Sequence, residues 1–118
     1  MKSISQLKRE TDVPVVLADH QGFITYLNER WQVVFGWSPE ELIGKTLTTI
    51  IPSSLRDAHN LGFSRFLSTG QPTLLNRFVR LKVKAKDGQE VDCEHFIIAE
   101  QHQGQWVFGA MIRPLGEQ

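Results

Sequence analysis

The sequence holds a single cysteine, Cys93, in 118 residues, which excludes an internal disulfide framework and a zinc site built on clustered thiolates. A reducing, cytoplasmic setting is the expectation that follows. Charge of either sign is not in excess, since thirteen Lys and Arg balance thirteen Asp and Glu. Without a net field to draw it onto phosphates, the chain is expected to contact neither nucleic acid nor a membrane surface. No apolar run approaches the roughly 20 residues a spanning helix needs, and Met1-Lys2-Ser3 leads into no apolar signal stretch. Also missing are a Gly-rich phosphate loop, a nucleophile elbow, and a serine or cysteine set beside a base. The expectation is therefore a domain with no catalysis of its own, any enzymatic output belonging to an effector in a parent protein.

With 41% hydrophobic and 22% charged residues, the composition is that of an ordinary globular chain, and the length suits one domain. Residues 3–10 read as a short helix with Ile4 and Leu7 on one side, interrupted at Pro14. We take 1–12 as a flanking cap and 13–115 as the domain. An apolar run at 15–18, turn residues at 19–22 and β-formers at 23–27 predict a hairpin. Asn28 can cap a helix whose Trp31, Val34 and Phe35 share a face, and Gly36 can end it. Ser38-Pro39-Glu40-Glu41 has the spacing of a capping box with proline at the first helical position, predicting a helix to about Gly44. Further helical segments are expected at 47–50 and, after Pro52, from 54 to 68, stopped at Gly70. In the last of these Leu55, His59, Gly62, Phe63 and Phe66 fall on one stripe, with Arg56, Asp57, Asn60 and Ser64 opposite.

The last third predicts a β-meander. Val79, Leu81, Val83 and Ala85 alternate with Arg80, Lys82 and Lys84; after Asp87-Gly88, Val91, Cys93, His95 and Ile97 alternate with Glu90, Asp92 and Glu94. A three-residue loop at 87–89 would match the faces by pairing Lys86 with Glu90, Lys84 with Asp92 and Lys82 with Glu94. A final strand is expected at 106–112, after a turn at Gln103-Gly104. Phe78 and Phe96 fall on the charged face, where large apolar groups suggest a partner or the flanking helix. Pairing of two copies through the N-terminal segment and this outer sheet face is thus an expected mode of association.

Specific residues agree with this order of elements. Asp19-His20-Gln21-Gly22-Phe23-Ile24-Thr25-Tyr26-Leu27-Asn28, then Gly36-Trp37-Ser38-Pro39-Glu40-Glu41-Leu42-Ile43-Gly44-Lys45, Ile51-Pro52 and Lys86-Asp87-Gly88 resemble, in sequence, four landmarks of the PAS superfamily, sensory-box type. The resemblance implies an α/β (α+β) fold, a five-stranded antiparallel sheet with its concave face covered by short helices and one long helix. It also implies a sensing or relay role in a larger signal-transduction protein, of the two-component or cyclic-di-nucleotide kind. A small molecule or partner would act between the long helix and the inner sheet face, and Leu55, His59, Phe63, Phe66, Val79, Leu81, Val83, Cys93, His95 and Ile97 are expected to line that space.

A narrower resemblance concerns Arg56-Asp57-Ala58-His59 and Phe63-Ser64-Arg65-Phe66-Leu67-Ser68-Thr69-Gly70. This stretch is similar to the long helix of oxygen-sensing haem PAS domains, which implies haem b with His59 as iron ligand. The arginine those domains place on the next strand is not matched, for Val79 stands there with Arg80 one residue out of register, and His95 stands where they carry an apolar residue. The preferred reading of His59 is a core-edge histidine bonded to a backbone carbonyl, and the cofactor is otherwise unassigned. Cys93 lies on a strand, unlike the helical cysteine of flavin-binding members, so no flavin adduct is expected.

Overall fold

The computed structural model of the chain describes residues 3–61 and 78–116. Val15–Ala18 forms β1 and Ile24–Leu27 forms β2. In the turn between them the Asp19 carboxylate accepts from the backbone N–H groups of Gln21 and Phe23, each at 2.9 Å, which satisfies amides outside the ladder. Asn28 caps α2 (Glu29–Phe35), which Gly36 ends in the left-handed conformation at φ 89°. Both bonds of the expected capping box start α3 (Pro39–Leu42): Ser38 N–H donates to Glu41 Oε1 (2.8 Å) and Glu41 N–H to Ser38 Oγ (3.3 Å).

Two 3₁₀ turns, Leu47–Ile50 and Ser53–Leu55, follow, and residues 56–61 are helical. Pro52 explains the tight entry, its carbonyl accepting from Leu55 N–H at 2.9 Å in an i→i+3 bond. Arg56 Nε donates to the carbonyls of Thr48 and Ile51 (3.1 and 3.2 Å), tying the helical segment to the preceding turn. The part of the expected long helix beyond residue 61, with Phe63 and Phe66, lies outside the described residues.

The meander comprises β3 (Phe78–Lys84), β4 (Glu90–His102) and β5 (Gln105–Pro114). Its first register differs from the sequence expectation: Lys84 opposes Glu90, Lys82 opposes Asp92 and Arg80 opposes Glu94. The loop has three residues, but they are Lys86 to Gly88, closed by Ala85 N–H to Gln89 O (2.8 Å) and Gly88 N–H to Ala85 O (3.0 Å). In such a loop the third position takes positive φ, which Gly88 supplies at 93°. Lys86 leaves the ladder instead, its N–H bonding Phe35 O (3.0 Å) and its ammonium pairing with Glu41. A shift of two residues keeps every side chain on its expected face. At the next hairpin Gln103 and Gly104 both take positive φ (53° and 80°), the two-residue turn that matches the twist of its strands.

All pairings are antiparallel and the five strands run in the order β2-β1-β5-β4-β3, so β1 meets β5 across most of the chain, Val16 opposite Ala110. Against the inner face pack Trp31 and Phe35 of α2, Leu42 of α3 and Ile50, in one core with Val16, Ile24, Leu27, Val83, Cys93 and Ile112. On the outer face lies α1 (Ile4–Lys8), whose Ile4 and Leu7 bury against Val15, Leu17 and Ile98. Gly109 makes that seat: a Cβ there would lie 2.7–2.9 Å from Leu17, Leu7 and Ile4, so α1 approaches the bare backbone of β5. The architecture is the expected α+β one.

Candidate functional site

The inner core is not filled everywhere. Between the sheet and the segment from Leu47 to His59 lies a cavity of about 290 Å³. Its floor is Leu81, His95 and Ile97 with Val16 and Ala18 of β1 and Phe108, Ala110 and Ile112 of β5; its roof is Leu47, Ile50, Ile51, Leu55, Ala58 and His59. The lining is almost wholly apolar. Ala18, Ala58 and Ala110 leave the space open, where larger side chains would have closed it to native density.

Of the expected site residues, Leu55, His59, Leu81, His95 and Ile97 meet at this cavity. Val83 and Cys93 face inward as expected but are buried in the core beneath α2 and α3. Cys93 borders instead a second recess near Leu115. Val79 is half-buried opposite His95. Phe63 and Phe66 lie outside the described residues. Sequence reasoning missed the contribution of β1 and β5, although the alternation of Phe108, Ala110 and Ile112 gave the signal for an inward face.

Two imidazoles supply the cavity's polarity. His95 is 8% exposed, and burial pushes its pKa down to about 4 against the pull of a hydrogen bond to the Leu81 backbone. Burial lowers the pKa of His59 as well. Cys93 is fully buried, its thiol donates to the Val91 carbonyl at 3.3 Å, and burial pushes its pKa up to about 12, so the reactive thiolate is suppressed. Among the described residues no three His, Cys, Asp or Glu side chains gather as metal ligands, and no helix is long and apolar enough to cross a membrane.

Of the features that the haem resemblance implies, the described residues bring His59 to the pocket, beside His95, but do not place an arginine at the inward position of β3. Arg80 is exposed on the outer face opposite Glu94, and Val79 holds the inward position.

A five-stranded antiparallel sheet, short helices over one face and a half-open apolar pocket between them together define a sensory domain of the PAS class. The family model for the PAS fold matches residues 4–114, and the chain belongs to that family. It is 32% identical over 104 residues (87% of this chain, 14% of the relative) to an uncharacterized protein of Azorhizobium caulinodans. It is 26% identical over 103 residues (87% of this chain, 20% of the relative) to the sensor protein FixL of Bradyrhizobium diazoefficiens. The chain spans a fifth or less of the length of these curated relatives. In fold it is similar to the PAS domain of the RpfR quorum-sensing receptor of Cronobacter turicensis in complex with C12:0, with a TM-score of 0.67 and 16% identity over 91% of this chain and 97% of that one.

Proposed function

We propose that the chain is the sensory module of a larger signal-transduction protein, and that it works by holding a small apolar molecule in the cavity under Leu47 to His59. The observation that carries this reading is the cavity itself. An almost wholly apolar pocket of about 290 Å³ forfeits contacts along its walls unless something fills it, and its size approaches the lower end of ligand pockets, about 300 Å³. The RpfR domain's complex with C12:0 supports an apolar occupant in a fold of this kind. Occupancy would press on Phe108, Ala110 and Ile112 of β5, the strand that leads out of the domain, which gives ligand and output a shared element. The module acts by binding alone, a reading supported by the suppressed Cys93 thiol and the neutral imidazoles.

Xenon, which enters dry apolar cavities, tests the reading. Methyl resonances of Ile50, Leu55, Ile97 and Ile112 are expected to shift saturably under xenon, and an Ala110→Phe variant, which fills the space, is expected to lose the effect. A wild-type protein with no saturable shift would remove the cavity as a site.

A second reading, self-association, is favoured by Phe78. It is 64% exposed and meets Phe96 at 5.1 Å and 48°, on the outer face, where Phe96 in turn packs against the cluster that α1 covers. Two copies joined there would bury this pair. Light scattering should then show a dimer that Phe78→Ser converts to a monomer; a wild-type monomer at high concentration ends this reading.

A further inference from the structure

On the outer face, beside the part that α1 covers, the side chains of β3 and β4 form two columns of opposite sign. Phe78, Arg80, Lys82 and Lys84 stand on β3, and directly across from them Phe96, Glu94, Asp92 and Glu90 stand on β4. One end of the paired columns is therefore aromatic, and the rest is basic on one strand and acidic on the other. Lys82 and Asp92, which pair at 2.7 Å, mark the middle of the charged part and are both exposed.

This layout is complementary to itself in one orientation. Two such faces can be laid together about a two-fold axis that runs either along the strands or across them. With the axis along the strands, β3 of one copy lies over β4 of the other, so each basic column meets an acidic one and the two aromatic ends coincide. With the axis across the strands, β3 lies over β3 and β4 over β4. Like charges then face each other, and each aromatic end meets the charged end of the other copy. The roughly 30° offset of aligned sheets leaves the first arrangement intact at its centre, around Lys82 and Asp92.

We propose that this face binds a second copy of the chain, in parallel and face to face, with β3 of each over β4 of the other. The inference rests on the self-association reading and adds to it an orientation and a charge rule. Burial of the Phe78 and Phe96 rings supplies the attraction. The columns supply the orientation, because like charges set opposite one another repel across an interface. Pro114, at the end of β5, lies opposite Cys93, so the chain leaves the sheet toward the end away from the phenylalanines. In the parallel pair that end is shared, and whatever follows β5 in the two copies emerges side by side. A face two strands wide is small beside standard interfaces, so association is expected at high protein concentration.

Reversing one column, by Lys82→Glu with Lys84→Glu or by Glu90→Lys with Asp92→Lys, leaves a face of nearly one sign. In low salt each variant should associate at least about tenfold more weakly than wild type by analytical ultracentrifugation, and an equimolar mixture of the two should regain association. An exposed ion pair such as Lys82 with Asp92 contributes little to folding, so both variants keep the fold. A Gln89→Cys variant reads the orientation independently, since Cys93 is buried and its thiolate suppressed, which leaves the new thiol to react. Parallel pairing brings the two β3–β4 loops to the same end, about one sheet spacing of 10 Å apart, whereas the crosswise arrangement separates them by about 23 Å, the span of a seven-residue strand. A bis-maleimide of about 10 Å reach should join two copies, and should fail to do so once Phe78→Ser is added. Absence of this cross-link in a dimer that Phe78→Ser abolishes, or reversed columns that associate as tightly as wild type, overturns the orientation and leaves self-association standing. A wild-type chain that stays monomeric overturns both.

Discussion

Replacing Asn28 with alanine is expected to cost about 3–5 kcal/mol, because its side chain satisfies four backbone groups at once. Asn28 is 6% exposed. Its Oδ1 accepts from Val15 N–H at 3.0 Å and from Trp31 N–H at 3.1 Å; its Nδ2 donates to the carbonyls of Glu10 and Val13 at 3.0 and 2.9 Å. One amide thus caps α2, holds the first residue of β1 and fastens the segment leading from α1. Loss of the cap alone costs about 1 kcal/mol. Each buried group left unpaired adds about 1–3 kcal/mol, less where water can reach it. Asn28→Ser keeps an acceptor for Trp31 N–H but cannot reach both carbonyls, so its urea midpoint should fall between wild type and Asn28→Ala. A loss below about 1 kcal/mol in Asn28→Ala would mean that the bonds to residues 10 to 15 contribute nothing to the folded state.

The role of Asn28 also marks where the sequence stops being legible. Its function as a cap is local, written in its position just before an apolar-periodic run, and the same is true of Ser38 and Glu41. The two bonds its amide donates depend on where the chain before β1 returns in space, which no local pattern specifies. Strand faces were readable for the same reason that caps were: alternation assigned His95, Ile97 and Leu81 inward, and all three line the cavity. Depth was not readable. Val83 and Cys93 share the inward face but lie where Trp31, Phe35 and Leu42 fill the space, and only the tertiary placement of α2 and α3 decides that.

Non-local pairing set the remaining misses. β1 contributes Val16 and Ala18 to the cavity because it pairs with β5 over nearly a hundred residues of chain, Val16 opposite Ala110, and a sequence pattern carries no register at that distance. The β3–β4 register was within reach. Gly88 is the one residue of its loop suited to positive φ, and placing it third makes the loop begin at Lys86. The pairing of Lys86 with Glu41 then follows from the loop's contact with Phe35.

Acid should unfold this protein through His95, about 3 kcal/mol of stability being lost between pH 6.5 and pH 4. In the unfolded chain the imidazole takes its proton near 6.5; in the fold burial pushes that down to about 4. Within this window the unfolded state binds more protons, so stability rises with pH and falls as pH is lowered. The full difference, at 1.36 kcal/mol per pH unit, comes to about 3 kcal/mol, of which about 2 is already lost at pH 5. His59, also lowered by burial, acts in the same direction. Glu41 and Glu100 are held low by Lys86 and His102; they are half-buried at the surface, and their contribution is lost only below the ordinary carboxylate range, at lower pH. Urea unfolding at pH 7 and pH 5 separates the terms. Wild type should lose about 2 kcal/mol or more between the two, and His95→Leu, which has no proton to gain, should lose only what His59 contributes. Parallel losses in the two proteins would mean that His95 is hydrated in the folded state.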